Sequence, residues 1–470
     1  MASTPYNQPP ESRPLVVRHG PALALSLLYG VLVLPMILSG AGYAAPAWDE
    51  QTFHLPIVRT MVEQWPRVDV VEYDSATTPG YHLLMALVLK LTGSVTACRL
   101  VSAVLSWGLL MAAYAIARRI LAPKAAATSD RAVLHSGWIA AALVLPLALS
   151  QYFLGAAIWL TTDNAALLFV ALALGGAAAA RFTPGRGLLL GVWALLAVLV
   201  RQLHVWVAAP IGLAALLASP LVRLAPSVLR DDERQSPRTW ANLLVGVIAG
   251  AMPVAALAVF IVLWGALLPR SEAIRGQHLQ GVNPATFAFA LSLIGVLGVF
   301  FLTVAPGGVF GHVRRLRERR GVVALAAGAG LASALAFPTF WVDRVRDTGL
   351  WKLVKIGPVV MERSVVLAVL APLGAVVLVL LYRGASDAGR RVPALVLMLG
   401  MLAWLTAQSA NIMCWHRYFE PLMLVCLGWL AAMGVRERVR PANLLGPVGL
   451  ALLLGVVSAW LVYRPAIIGG

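Results

Sequence analysis

Four short polar clusters interrupt a chain that is otherwise apolar, and each carries groups able to do chemistry. The first is Trp48-Asp49-Glu50-Gln51-Thr52-Phe53-His54, directly after a long apolar run. A carboxylate pair at the mouth of a membrane span suits a lipid-bound substrate, because ionisable groups at such depth are costly without a use. The plainer reading is two solvated acids in a loop. The second cluster, Thr161-Thr162-Asp163-Asn164, opens an uncharged run. There Asp163 is either a helix N-cap or a second carboxylate facing the first cluster.

The third cluster is Arg201-Gln202-Leu203-His204, set between two apolar runs. Arg201 is costly to bury unless paired. It reads as a snorkelling side chain, a structural ion pair or a cation for a lipid phosphate, whose oxygens its forked donors match. The fourth, Trp415-His416-Arg417-Tyr418-Phe419-Glu420-Pro421, packs a histidine, an arginine and an acid into one short connection. Folding alone does not ask for that density, and Arg417 is a second candidate phosphate clamp.

His54, His82, His204, His278 and His416 share the side of the membrane that these clusters occupy. No His-Glu-x-x-His or comparable spacing joins them, so the pattern does not specify a metal site. Gly-x-Ser-x-Gly, Walker and dinucleotide-binding motifs are absent as well. Three scattered cysteines, Cys98, Cys414 and Cys426, form no Cys-x-x-Cys and read as small buried hydrophobes.

The elements that must hold these clusters are membrane helices. The chain is 60% hydrophobic and 12% charged, against roughly half and a quarter in soluble domains. The excess lies in runs of about 20 residues, enough to cross a hydrocarbon core of about 30 Å. Helices satisfy their own backbone in lipid, so the expected fold is an all-α polytopic bundle. Apolar runs fall near 21–42, 97–117, 133–150, 164–180, 187–200, 205–222, 241–268, 285–305, 321–340, 364–382, 392–411, 418–435 and 443–463, thirteen spans in a single domain over 21–470. Residues 1–20 read as a disordered cytoplasmic tail.

With that tail inside, the inside connections collect 23 of the 37 basic residues, as the positive-inside rule requires. That placement accounts for the +17 net charge and excludes a nucleic-acid partner. The longest connection, 43–96, falls outside with six of the 20 acids. Within it, the apolar spacing of 55–64 and the short run 81–92 predict two helices lying in the interface. The four clusters therefore meet on the non-cytoplasmic face.

These residues resemble a known family, the dolichyl-phosphate-glucose-dependent α-1,2-glucosyltransferases, which add the terminal glucose to the lipid-linked N-glycan precursor. More broadly they resemble the GT-C superfamily of membrane glycosyltransferases. The resemblance runs in order along the chain. It comprises Asp49-Glu50-Gln51-Thr52-Phe53-His54-Leu55-Pro56, Tyr73-Asp74, Thr77-Thr78-Pro79-Gly80, Thr161-Thr162-Asp163, Arg201-Gln202 with Trp206, the region of Gln277-His278, and Arg417-Tyr418-Phe419. One proline of the turn is missing, and Glu420-Pro421 follows the last motif instead of preceding it.

The resemblance implies a GT-C bundle and inverting transfer of a hexose, glucose by preference, from a polyprenyl-phosphate donor to a glycan hydroxyl. It implies Asp49 as the base, with Glu50 and His54 orienting the base or the acceptor. Arg201 and Arg417 would hold the donor phosphate, with His416 or His278 adding a donor. Asp74, Thr77 and Thr78 would shape the sugar pocket, and Asp163, Gln202 and Tyr418 would contact sugar or acceptor. No metal or other cofactor is implied. The partners are the lipid-linked donor, a glycan or glycolipid acceptor and the membrane lipids. The Ala- and Arg-rich composition points to a bacterial plasma membrane; a eukaryotic chain would sit in the endoplasmic reticulum. A GT-C enzyme adding another sugar to a glycolipid or cell-wall polymer remains open, as does a lipid or solute transporter.

Overall fold

The computed structural model describes residues 15–42, 44–122, 130–179, 181–224, 238–277, 281–304, 308–339, 348–436 and 439–468. Among these residues it is a helical bundle with one short β-hairpin, Val359–Val360 against Arg363–Ser364. Every apolar run carries helix. Among the described residues, seven helices are long and apolar enough to cross a membrane: His19–Leu38, Val95–Leu121, Trp240–Trp264, Thr286–Val304, Val365–Asp387, Arg391–Ser409 and Pro441–Ile467. The pair His135–Ala148 and Gln151–Ile158, bent by 74°, makes an eighth span if counted as one.

The expected count of thirteen is not reached by this measure because the remaining runs hold shorter helices. Asp163–Ala178, Pro184–Val200, Gln202–Leu217 and Arg320–Leu335 have 17 residues or fewer. At 1.5 Å per residue that is about 25 Å or less, short of a full hydrocarbon core.

The centre of the bundle is the helix Glu420–Gly434, in which every residue is buried. An apolar helix without a polar face has no surface to offer water, so it sits inside. It packs on Val365–Asp387, Asp130–Ala148 and Val95–Leu121. Trp429 Nε1 donates to the Ala113 carbonyl at 3.0 Å, fixing this helix against Val95–Leu121. The 74° bend at Leu149 and Ser150 leaves helix-end carbonyls that need partners. Ser458 donates to the Leu149 carbonyl at 2.7 Å, and Ser150 caps the next helix by accepting from Phe153 N–H.

Three segments carry helix that the sequence reading did not assign. The tail expected over 1–20 is helical from Leu15, inside the helix Leu15–Leu38, and residues 1–14 lie outside the described residues. The basic stretch after 305 is a helix, Gly308–Glu318. The acidic opening of the 43–96 segment is also helical: Ala45–Asp49 runs through a π-helical turn, Glu50–His54, into Leu55–Gln64. The two short helices expected there form as Leu55–Gln64 and Gly80–Thr92 and pack on one another.

Candidate active site

Asp49 closes the short helix Ala45–Asp49, started by Pro46, whose ring suits a first helical turn. The next residues form a π-turn, a form often found at functional sites. Neighbouring residues on a helix point about 100° apart, so Asp49 and Glu50 diverge. Glu50 turns into the bundle and is 1% exposed. Arg99 grips it with two donors, Nε to Oε2 at 3.0 Å and Nη2 to Oε1 at 2.5 Å. Leu160 N–H donates to it at 2.8 Å. With every lone pair directed at the protein, Glu50 is a structural ion, not the orienting group expected beside the base.

Asp49 turns the other way and pairs with Arg417 of the turn His416–Tyr418. Arg417 lies 4.1 Å over the Trp415 ring and 5.3 Å from the Tyr418 ring centroid. A second pair repeats the arrangement. Asp163, first residue of Asp163–Ala179, binds Arg201, which follows Pro184–Val200. The Arg201 guanidinium lies 4.4 Å over the same Tyr418 ring. Two carboxylates, two guanidiniums and one phenol thus converge from four distant parts of the chain. Arg417 keeps a buried Nε without a protein partner.

Electrostatics follow from this crowding. Burial would raise the Tyr418 pKa, but the Arg417 and Arg201 charges outweigh it and lower the phenol below its usual value. His54 is driven down to about 3, first by burial and then by the same two arginines, so its imidazole is neutral at pH 7. His54 Nδ1 and His82 Nε2 share a hydrogen bond at 2.9 Å, with the rings stacked.

Residues 74–78 are held in place more than they are offered. Thr78 is fully buried and donates to the Val198 carbonyl at 2.5 Å. Gln202 accepts from Thr78 N–H at 3.1 Å and donates to the carbonyls of Ala76 and Leu267 at 2.9 and 3.1 Å. Its amide therefore clamps the turn, tying residues 76–78 to the start of the segment after Pro184–Val200. Gly80 allows the close approach: a β-carbon there would lie 2.6 Å from the Leu199 carbonyl oxygen. Thr77 bonds Ser75 at 3.0 Å, and Asp74 is exposed and accepts from Ser271.

His416 also departs from expectation. Its Nδ1 accepts from Leu350 N–H at 3.0 Å and its Nε2 bonds Glu420 at 3.0 Å. Glu420 in turn accepts from Ser150 at 2.6 Å. Both ring nitrogens are occupied, so His416 anchors the Arg417 turn and has no proton to offer a phosphate. Gly349, at φ +55°, lets the backbone press on this ring, where a β-carbon would collide with it. His278 lies outside the described residues. Among the described residues, no three His, Cys, Asp or Glu side chains gather as a metal site, and all three cysteines are free and buried.

Sequence reasoning missed Arg99 and His82 as partners. Arg99 carried a usable signal, a lone arginine in an apolar run.

No family model and no curated protein matches the chain. Among solved structures it is similar to the archaeal oligosaccharyltransferase AglB from Archaeoglobus fulgidus, solved with an inhibitory peptide and a dolichol-phosphate. The TM-score is 0.45 at 14% identity, over 96% of this chain and 55% of that one. It is also similar to ArnT from Cupriavidus metallidurans bound to undecaprenyl phosphate, with TM-score 0.39 at 15% identity over 92% and 78% of the two chains. The chain spans about half the length of the oligosaccharyltransferase, 55%.

Proposed function

We propose that this protein is a membrane glycosyltransferase of GT-C type that moves a hexose, glucose by preference, from a polyprenyl-phosphate carrier to a hydroxyl of a lipid-linked or other glycan on the non-cytoplasmic face. The observation that carries the reading is the convergence of the Asp49–Arg417 and Asp163–Arg201 pairs on Tyr418. Transfer from such a donor needs a base for the acceptor proton and cations for the departing phosphate, and this cluster holds both.

In the proposed step the acceptor oxygen attacks the anomeric carbon from the face opposite the phosphate. Its proton passes to Asp49. The bond from the anomeric carbon to the phosphate oxygen breaks, and its electron pair leaves with the polyprenyl phosphate. Arg417 and Arg201 meet the charge that grows on that phosphate, and the Tyr418 hydroxyl stands beside both. Arg417 shifts its bonding from Asp49 towards the phosphate as the donor enters, which frees the carboxylate for the acceptor. The donor sugar is already activated, so no nucleotide is consumed.

The test is direct. Purified protein is incubated with synthetic polyprenyl-phosphate glucose and mannose and a panel of lipid-linked and free glycan acceptors, with Asp49→Asn alongside. Transfer by wild type and not by the variant supports the class and the base. A folded protein that binds no polyprenyl-phosphate donor sinks the reading and favours a transporter.

A further inference from the structure

The segment 350–364 carries an apolar tip that the rest of the described chain leaves bare. Its short helix Leu350–Ile356 buries Leu350, Trp351 and Val354 and turns Lys352, Leu353, Lys355 and Ile356 outward. The hairpin follows at once. Val359 pairs with Ser364 and Val360 with Arg363, so Met361 and Glu362 make the turn between them. Both have positive φ, 47° and 62°. Asn and Gly ordinarily fill such a turn, because other side chains strain the backbone in the left-handed region. Packing does not offset that strain at Met361, which is 83% exposed.

The neighbours nevertheless hold the turn firmly. Thr339 N–H donates to the Glu362 carbonyl at 2.8 Å, and the Thr339 hydroxyl accepts from Ser364 N–H at 2.9 Å. Arg363 donates from Nε to the Leu335 carbonyl at 2.7 Å and from Nη1 to the Met361 carbonyl at 2.5 Å. A strained turn so over-determined points to a use for what it displays. It displays Val359, Val360 and Met361, with exposed Phe337, Leu353 and Ile356 beside them in the chain. An exposed apolar patch of this kind marks a membrane or a partner surface. Continuity decides for the membrane. The hairpin leads directly into the span Val365–Asp387, whose Val369 and Leu373 are also bare, and it is bonded to the end of Arg320–Leu335, which bares Leu331 and Leu335. Lys352, Lys355 and Glu362 are exposed on the same segment. Their charges keep it out of the hydrocarbon core, and lysine stems can lie along apolar surface with their heads in water.

We infer that segment 350–364 is an interfacial anchor whose tip, residues 359–361, enters the headgroup region of the leaflet on the side of the candidate site. Its partner is the lipid surface. The same segment reaches the site. Leu350 N–H donates to His416 Nδ1 at 3.0 Å, and Trp351 Nε1 donates to the Cys414 carbonyl at 2.7 Å. The Trp351 ring stacks on Phe289 at 4.4 Å. The anchor therefore moors the Arg417 turn at a fixed depth relative to the headgroups. That consequence rests on the transferase reading, in which Arg417 meets a lipid phosphate; the insertion of the tip does not.

The experiment uses the full chain in phosphatidylcholine nanodiscs. Met361→Cys is labelled with an environment-sensitive fluorophore, while Cys98, Cys414 and Cys426 are buried and stay unlabelled. Quenching is read with lipids that carry a nitroxide high on the acyl chain or at its end, and with aqueous iodide. The high nitroxide is expected to quench severalfold more than either of the others. Val360→Cys gives the same order and serves if Met361→Cys does not fold. A label quenched best by iodide, or best from the chain end, overturns the inference. So does a label shielded from all three in a protein that is dimeric by mass, since a second copy then covers the tip. The mooring is read with Val359→Ser plus Met361→Gly, which removes the apolar tip and relieves the turn. This variant is expected to bind sugar-free polyprenyl phosphate severalfold more weakly than wild type in nanodiscs and equally well in detergent, where no bilayer plane exists. Equal binding in nanodiscs defeats the mooring, and weaker binding in both media marks a general loss of fold and defeats it too. Wild type that binds no polyprenyl phosphate in either medium defeats the transferase reading, and the quenching order still decides the anchor.

Discussion

Asp49 and Arg417 stand 368 positions apart in the chain and meet as an ion pair, with the guanidinium lying over Trp415. The contact joins the first helical run after Leu15–Leu38 to the turn that precedes the central helix. It sets the proposed base and the proposed phosphate clamp in each other's reach.

Asp49→Asn keeps a hydrogen-bonding partner for Arg417 but loses the basic oxygen. Its kcat is expected to fall by about 10²- to 10⁴-fold with the melting temperature unchanged. Steady-state transfer kinetics and a thermal melt in detergent check this; turnover near the wild-type level would remove Asp49 from the base role.

Arg201→Ala and Arg417→Ala each delete a charged donor from the cluster around Tyr418. Each is expected to weaken polyprenyl-phosphate binding by about 10- to 100-fold, the range for a hydrogen bond to a charged group. Arg417→Lys restores the charge without the fork and recovers only part of the loss. Titration with polyprenyl phosphate lacking a sugar isolates the effect, and equal affinities across the series would exclude the arginines from the phosphate site.

Glu50→Gln breaks a buried pair and leaves Arg99 charged without its partner. Such a change destabilises by about 3–5 kcal/mol, whereas Glu50→Leu with Arg99→Met, which removes both charges, loses much less. Denaturation of the detergent-solubilised protein distinguishes them. A Glu50→Gln protein as stable as wild type would show that Glu50 is not structural.

His54 titrates at about 3 in the folded protein and near 6.5 unfolded. The folded state therefore binds fewer protons between those values, and stability falls as pH drops from about 6.5 towards 3. His54→Gln flattens that slope. Melting temperatures of the two proteins between pH 7 and 4 measure it, and parallel curves would count against a neutral, half-buried imidazole.

The bundle was legible because lipid imposes one backbone solution on every long apolar run. The helices Leu55–Gln64 and Gly80–Thr92 were legible from apolar spacing. The candidate site was legible as a list, since Asp49, Asp163, Arg201 and Arg417 all lie at helix ends beside apolar runs. Division of labour within each cluster was not. Asp49 and Glu50 look equivalent in sequence, and only the angle between successive helical residues sends one to Arg417 and the other to Arg99. His416 and Arg417 differ for the same reason. Gln202 gave no sign of serving a turn 124 residues upstream, because side-chain clamps between distant segments leave no periodic trace. The tail was drawn too long because Arg18 and His19 hid a helix that begins at Leu15, before its apolar part, and the helix Gly308–Glu318 was not foreseen because charge dominates it.

The chain of contacts from Ser150 through Glu420 and His416 to Leu350 has a bearing on the protein's history. Each member answers a need created by the next: the bent helix offers the serine, the serine and the imidazole share the acid, and the imidazole receives a backbone amide. Loss of Glu420 alone would strand a hydroxyl and a ring nitrogen in an apolar interior. In descendants of this sequence, positions 150, 416 and 420 must therefore move as a set or stay as they are.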